Sequence, residues 1–184
     1  GAFPTWEKIA RSAGRVDTLI VNVAECEPYV TADYRLLLER SEHILRGAQA
    51  IARCLRCERV AVVTEGDKLN AVEAVERRLR RSGNGRVQII PVRTCYPLGA
   101  EKQIIQTVTG REVPPGGSPL DVKCAVFNVA TVYAIHDALR AGFRRVVFII
   151  KPEMEPMVER LCGGYLRRTE LNGQPVEVAY AFQD

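Results

Sequence analysis

The segment Asn22-Val23-Ala24-Glu25-Cys26-Glu27-Pro28-Tyr29 puts an amide and two carboxylates directly after the apolar run Thr18-Leu19-Ile20-Val21. Polar groups at the carboxyl end of a buried parallel strand are where open α/β sheets hold their ligands. The pattern recurs at Phe127-Asn128-Val129-Ala130-Thr131, which closes a second apolar run and opens a helix. Two such edges can face one ligand. The same asparagines could instead only cap the strand and helix ends they occupy.

The elements that position these edges alternate along the chain as in a parallel sheet with covering helices. A helix follows Pro4-Thr5, and a strand covers about Asp17 to Val23. A long helix runs from about Ala32 to Leu55, with Leu37, Ile44, Ala48, Ile51 and Leu55 at helical spacing. Arg59 to Thr64 is the next strand, and Leu69 to Arg81 a helix whose Leu69, Val72, Val75 and Leu79 share one face. The turn sequence Ser82-Gly83-Asn84-Gly85 leads into a strand at Val87 to Val92. A loop through Tyr96 and Pro97 enters a helix at Ala100 to Val108. The proline- and glycine-rich Val113 to Pro119 is a stiff, irregular connection. A strand at Val122 to Asn128 and a helix at Thr131 to Ala141 follow. The fold class is therefore α/β, Rossmann-like, with a mostly parallel sheet covered by helices.

Composition fits a globular module and excludes several functions. The 184 residues carry a net charge of +4, and the densest basic cluster, Arg77, Arg78, Arg80 and Arg81, closes a helix, where cations are favoured. Nucleic-acid binding would need a larger basic face with aromatics or a known module. Val146 to Ile150 is far shorter than the roughly 20 apolar residues a membrane helix needs, so no direct membrane insertion is expected. No charged and then apolar leader opens the chain, so secretion is not indicated. The six cysteines form no clustered iron-sulfur pattern. The Cys54 and Cys57 pair lacks a second pair or histidine at zinc spacing, which favours buried, reduced thiols and no metal site. His43 and His136 each stand alone on a helix, as solvent-facing or locally bonded residues. Ser41, Ser82 and Ser118 have no nucleophile motif around them.

Taken with Gly1-Ala2-Phe3-Pro4-Thr5-Trp6-Glu7-Lys8, Tyr96-Pro97-Leu98-Gly99-Ala100-Glu101-Lys102-Gln103 and Thr109-Gly110-Arg111-Glu112-Val113-Pro114, the two asparagine segments resemble the flavin-binding domain of the Rnf complex C subunit. The same domain occurs in the NADH-oxidising flavoprotein subunit of respiratory complex I. The resemblance runs from Gly1 to about Gly142, and the chain opens inside the first motif, as a fragment would. It implies flavin mononucleotide (FMN) as cofactor. Gly1 and Lys8 would lie along its phosphate and ribityl chain, and Asn22, Glu25, Asn128 and Thr131 would contact it. An amide that both donates and accepts suits the polar rim of an isoalloxazine ring. Glu27 would be the acid at the NADH nicotinamide and the candidate catalytic residue. Tyr96 would stack beside the rings or be an ordinary loop tyrosine, and Glu101 matches a further acid, whereas Ala100 stands where the complex I branch has one.

The stretch Tyr133 to Glu153, continued by Val176 to Asp184, is similar to a sugar-phosphate nucleotidyltransferase core, without that family's glycine-rich signature loop. The expected organisation is an FMN-binding domain over 1–142 and, over 143–184, either an extension of the same sheet or a composite tail. Val146 to Ile150 would lie as a buried strand beside Val122 to Phe127, and Asn172-Gly173 would turn into a strand at Val176 to Ala181. The implied activity is hydride transfer from NADH to FMN, with electrons passing to iron-sulfur clusters on partner domains or subunits. Such a protein would be cytoplasmic, peripheral to the inner face of the cell membrane. The other readings are a non-catalytic flavin- or nucleotide-binding remnant or scaffold, and a nucleotidyltransferase fragment.

Overall fold

A computed structural model describes residues 5–141, except 26, 28 and 84, and the strands at 145–150, 170–171, 174–175 and 177–182. Gly1, Asn84 and the Asn172-Gly173 turn thus lie outside the described residues. In chain order the elements are α1 (Thr5–Ser12), β1 (Thr18–Asn22), α2 (Ala32–Leu55), β2 (Arg59–Glu65), α3 (Leu69–Ser82), β3 (Val87–Val92), α4 (Glu101–Thr109), a 3-10 turn (Pro119–Val122), β4 (Cys124–Asn128), α5 (Val129–Ala141), β5 (Arg145–Ile150), β6 (Glu170–Leu171), β7 (Gln174–Pro175) and β8 (Glu177–Phe182).

The first unit, Gly1–His136, holds a four-stranded parallel sheet in the order β3-β2-β1-β4. Side chains alternate across its two faces with the strand period of two. Leu19, Val21, Val60, Val62, Ala125 and Phe127 pack with Leu37, Ile44, Ile51 and Leu55 of α2, Val75 of α3 and Val132 of α5. Ile20, Ala61, Val63, Cys124 and Val126 pack on the other side with Ile104 and Ile105 of α4. Each of those two α4 isoleucines is fully buried and contributes roughly 1.5–3 kcal/mol, which anchors a helix of only 9 residues. Pro91 sits in β3, an edge strand, where its missing N–H leaves no gap in the ladder.

Two helix packings bear on the site. Gly47 of α2 lets α5 approach so closely that a Cβ there would stand 2.4 Å from the Val132 carbonyl. The 24-residue α2 bends at Arg40, whose φ of −123° leaves the helical range. His43 and His136 are not solitary: their rings stack at 4.8 Å across this α2–α5 contact, with His136 buried and His43 half-buried.

The sheet's last strand differs from expectation. Cys124, not Val122, opens β4, because Ser118 and Asp121 form a capping box that winds Pro119–Val122 into a 3-10 turn, with the Ser118 amide donating to Asp121 Oδ2 at 2.7 Å. Helix α5 begins at Val129, two residues before Thr131. Thiols also divide: Cys57 and Cys124 are buried, whereas Cys54 and Cys95 are exposed.

The second unit, Asp137–Asp184, contains a two-stranded parallel sheet of β5 and β8, in register from Arg145 opposite Glu177 to Ile150 opposite Phe182. The strand expected beside β4 thus has its ladder partner in β8. A parallel pair needs a long crossover between its strands, and residues 151–176 supply the length. β6 and β7 pair antiparallel, Leu171 opposite Gln174.

Candidate functional site at the carboxyl edge

Strand order reverses between β1 and β4: the chain moves outward from β1 to β2 and β3, then returns to place β4 on the other side of β1. Such a switch point opens a crevice beyond the carboxyl ends of the two strands. Asn22 and Asn128 end those strands directly opposite each other in the ladder.

Both asparagines first serve the protein. Asn22 Oδ1 accepts the Ala24 amide at 3.0 Å, and its Nδ2 donates to the Gly99 carbonyl at 3.0 Å, tying the loop before α4 to β1. Asn128 Oδ1 accepts the Ala130 amide at 2.8 Å at the start of α5, while its exposed Nδ2 donates to Asp33 Oδ2 at 2.6 Å. The capping role is therefore real for both, and each Oδ1 retains a second lone pair for a ligand.

From these two residues a run of polar contacts spreads along the edge. Glu25 Oε1 accepts the Asp33 amide at 2.9 Å, at the N-terminus of α2. The Glu25 amide donates to Glu65 Oε1 at 3.0 Å, at the end of β2. Among the described residues, Glu25 Oε2 and Glu65 Oε2 are buried without a hydrogen-bond partner. Burial pushes the Glu25 carboxyl above its ordinary range; the Asp33 and Tyr34 amides oppose this, and the Asp33 and Glu65 charges add to it. These carboxylates line a cavity of about 300 Å³ with Glu27, Tyr29, Lys68 and Tyr96. Tyr29 and Tyr96, 101% and 82% exposed, leave aromatic faces open at its mouth. Tyr29 also holds a positive φ of 67°, an uncommon backbone state for a tyrosine.

On the other flank Lys8 Nζ meets Glu101 Oε1 at 2.8 Å and lies 5.3 Å from the centre of the Phe127 ring. That pair borders a second cavity, of about 330 Å³, with Arg11, Ser118 and Leu120. The described residues expected at the site thus fall into two groups: Glu25, Glu27 and Tyr96 around one cavity, Lys8 and Glu101 at the other. Asn22 and Asn128 stand at the switch point, and Thr131 is half-buried in the first turn of α5. Glu65 and Asp33 belong to none of the sequence motifs, although both take part in the same network.

The family model described as the Nuo51 FMN-binding domain matches residues 1–137. The chain belongs to that family. Its relatives include the C subunit of the proton-translocating ferredoxin:NAD(+) oxidoreductase complex of Clostridium ljungdahlii, 45% identical over 76% of this chain and 30% of the relative. The C subunit of the ion-translocating oxidoreductase complex of Pseudomonas aeruginosa is 39% identical over 98% of the chain and 22% of the relative. Similarity to the Pseudomonas aeruginosa C subunit therefore continues beyond Gly142 into the tail, where the sequence motifs stop. The chain spans under a third of the length of these relatives. The fold also matches a solved NAD+-reducing [NiFe]-hydrogenase, air-oxidised, with a TM-score of 0.63 at 23% identity over 77% of this chain and 28% of that one.

The residues present fit an FMN. Two buried carboxylate oxygens without partners among the described residues suit donors from a bound group, and exposed aromatic faces beside them suit a flat ring. Lys8 offers a cation for the phosphate, provided it exchanges its hold on Glu101.

Proposed function

We propose that this domain holds FMN at the β1/β4 switch point as the entry module of a multi-subunit, Rnf-like or complex I-like oxidoreductase that takes electrons from NADH. The observation that carries the reading is the Asn22–Asn128 register, flanked by unpartnered Glu25 and Glu65 oxygens in a cavity open at Tyr29 and Tyr96. The name of the Clostridium ljungdahlii relative, a ferredoxin:NAD(+) oxidoreductase, supports a nicotinamide as the redox partner of the flavin, and hydride exchange between the two can run in either direction. The flavin would supply hydride acceptance and single-electron release; the protein supplies position and field.

Each residue then has a stated task. Lys8 balances the phosphate charge, and Asn22 and Asn128 present amide oxygens to the ring edge while fixing the α4 loop and the start of α5. Glu25 accepts a ring donor through Oε2. Glu27, exposed on the cavity wall, orients the nicotinamide amide and places negative charge beside the pyridinium that forms. Thr131 adds a hydroxyl at the α5 N-terminus, and Tyr96 covers the rings. Glu101, released by Lys8, offers a further acceptor. Gly1, outside the described residues, would serve the phosphate, as the family resemblance implies. Iron-sulfur domains or subunits receive the electrons, and the protein works in the cytoplasm against the inner face of the membrane. Among the described residues, no helix is long and apolar enough to cross a bilayer.

Titration with FMN, followed by anaerobic NADH, tests this. Binding quenches flavin fluorescence, and NADH bleaches the absorbance. In stopped flow, Glu27→Gln keeps the flavin but reduces it more slowly by about tenfold, the scale of roughly 1.4 kcal/mol in the barrier, whereas Glu25→Gln loosens FMN itself. Failure to bind FMN refutes the proposal. Binding without bleaching leaves a flavin carrier with no NADH turnover, and parent-like reduction of Glu27→Gln at saturating NADH removes Glu27 from the chemistry.

A further inference from the structure

Glu65 closes β2 with only 5% of its surface exposed. A carboxylate so deep is costly unless its oxygens have partners or its charge has a use. Oε1 accepts the Glu25 amide, while Oε2 is buried and, among the described residues, has no partner. The side chain lines the same cavity as Glu25, Glu27 and Tyr96.

We propose that Glu65 is a positioning residue for the cofactor edge: it holds the loop that carries Glu25 and Glu27 by the Glu25 amide, and it sets a second buried carboxylate beside the Glu25 carboxyl. The loop leaves β1 along one path because three successive amides are each engaged. Val23 donates to the Val63 carbonyl at 2.8 Å, Ala24 to Asn22 Oδ1 at 3.0 Å and Glu25 to Glu65 Oε1 at 3.0 Å. Removing the last acceptor strands a part-buried N–H and frees the chain just where the two acids begin.

Charge makes the role more than mechanical. Burial does most to raise the Glu25 titration; the Asp33 and Tyr34 amides of α2 oppose it, and the Asp33 and Glu65 carboxylates add to it. Glu27, Asp67 and Lys68 surround the same cavity. The Glu65 carboxylate charge thus adds to what burial does to Glu25, toward the form in which Glu25 can donate as well as accept. Loss of that charge moves the Glu25 titration to lower pH.

The ligand part of this inference rests on the FMN reading, but the proton part does not. Glu65→Gln keeps the acceptor and shape while removing the charge; Glu65→Leu removes both. With carboxyl-labelled glutamate and NMR, Glu25 of Glu65→Gln should titrate at lower pH than in the parent. At neutral pH, Glu65→Leu should bind FMN about tenfold more weakly than the parent through the stranded amide. An unmoved Glu25 titration in Glu65→Gln overturns the proposal, as does unchanged FMN affinity in Glu65→Leu. If Glu65→Leu does not fold, the Glu65→Gln titration decides. If the parent itself binds no FMN, the functional reading fails, and the same titration still decides the role of Glu65.

Discussion

Gly47→Ala should damage the cofactor edge from a distance, through the packing of two helices. A Cβ at position 47 would lie 2.4 Å from the Val132 carbonyl oxygen, 3.1 Å from Val132 Cγ1 and 3.2 Å from His136 Cβ. The first contact is with backbone and falls about 1 Å inside ordinary contact, so a rotamer change cannot relieve it; α5 must move relative to α2. Overpacking of this kind costs about 1–3 kcal/mol. Alanine returns up to about 1 kcal/mol through its better helix propensity, and the clash wins over most of that range. A net loss of about 1–2 kcal/mol lowers the melting temperature by roughly 2–8 °C for a chain of this size. Moving α5 also displaces Asn128 and Thr131 at its start, so FMN affinity should fall although Gly47 lines neither of the two cavities. Urea unfolding and flavin fluorescence titration measure the two effects together. A variant with the parent's unfolding midpoint would refute the close-approach argument. One with reduced stability and unchanged affinity would refute the link from α5 packing to the site.

Asn128→Leu should weaken FMN binding by about 1–3 kcal/mol and cost about 1 kcal/mol of stability through the Ala130 cap; calorimetry and urea unfolding separate these, and unchanged affinity would leave only the cap. At the opposite end of the sheet, Arg111 grips Asp17 with both fork nitrogens, at 2.7 and 3.0 Å, and donates to the Val122 carbonyl at 2.9 Å. Arg111→Met should therefore destabilise the protein by about 1–2 kcal/mol, with part of the charge contribution screened because the pair is about a third or more exposed. The Arg111 hydrogen bond holds the Asp17 carboxyl below its ordinary 3.8. Its stabilisation is thus present above that value and lost as the pH falls through the lowered one. Unfolding midpoints measured across acid pH should show a smaller acid-dependent loss in Arg111→Met than in the parent, and equal losses would remove the ion pair from the account.

The covering helices and sheet were legible because their signals are local. The apolar spacing of Leu37, Ile44, Ala48, Ile51 and Leu55 outlines α2, and alternation about Leu19, Ile20 and Val21 puts residues on both sheet faces. Signals that depend on contact were not legible. The stacked His43 and His136 are far apart in the chain, and the Arg40 bend follows no proline or glycine in its turn. Glu65 was missed by one residue: the expected strand ended at Thr64, and the structure carries β2 one position further, onto the carboxylate. The rule that singled out Asn22, a polar group where an apolar run stops, would have found Glu65 had the strand been read to its end. Asp33 is an acid in the first turn of α2, a place the helix dipole alone favours; its second task, receiving Asn128 Nδ2, becomes visible only when β4 lies beside β1.

That placement is the step no local pattern contains. Two strand ends with asparagine can face one ligand only if their strands are neighbours, and consecutive βαβ crossovers alone would have carried β4 outward past β3. In that order Asn128 would stand three strands from Asn22, beyond the reach of a single flat cofactor, since neighbouring strands are about 4.8 Å apart. The long connection from Val92 to Cys124 instead returns the chain across the sheet. α4 packs Ile104 and Ile105 against the face that β1, β2 and β4 share, while the Asn22 bond to Gly99 and the Arg111 fork on Asp17 fix the connection at both ends of β1. These clamps explain why residues remote from any ligand belong to the site's architecture: they select the strand order that turns two separate caps into one binding edge.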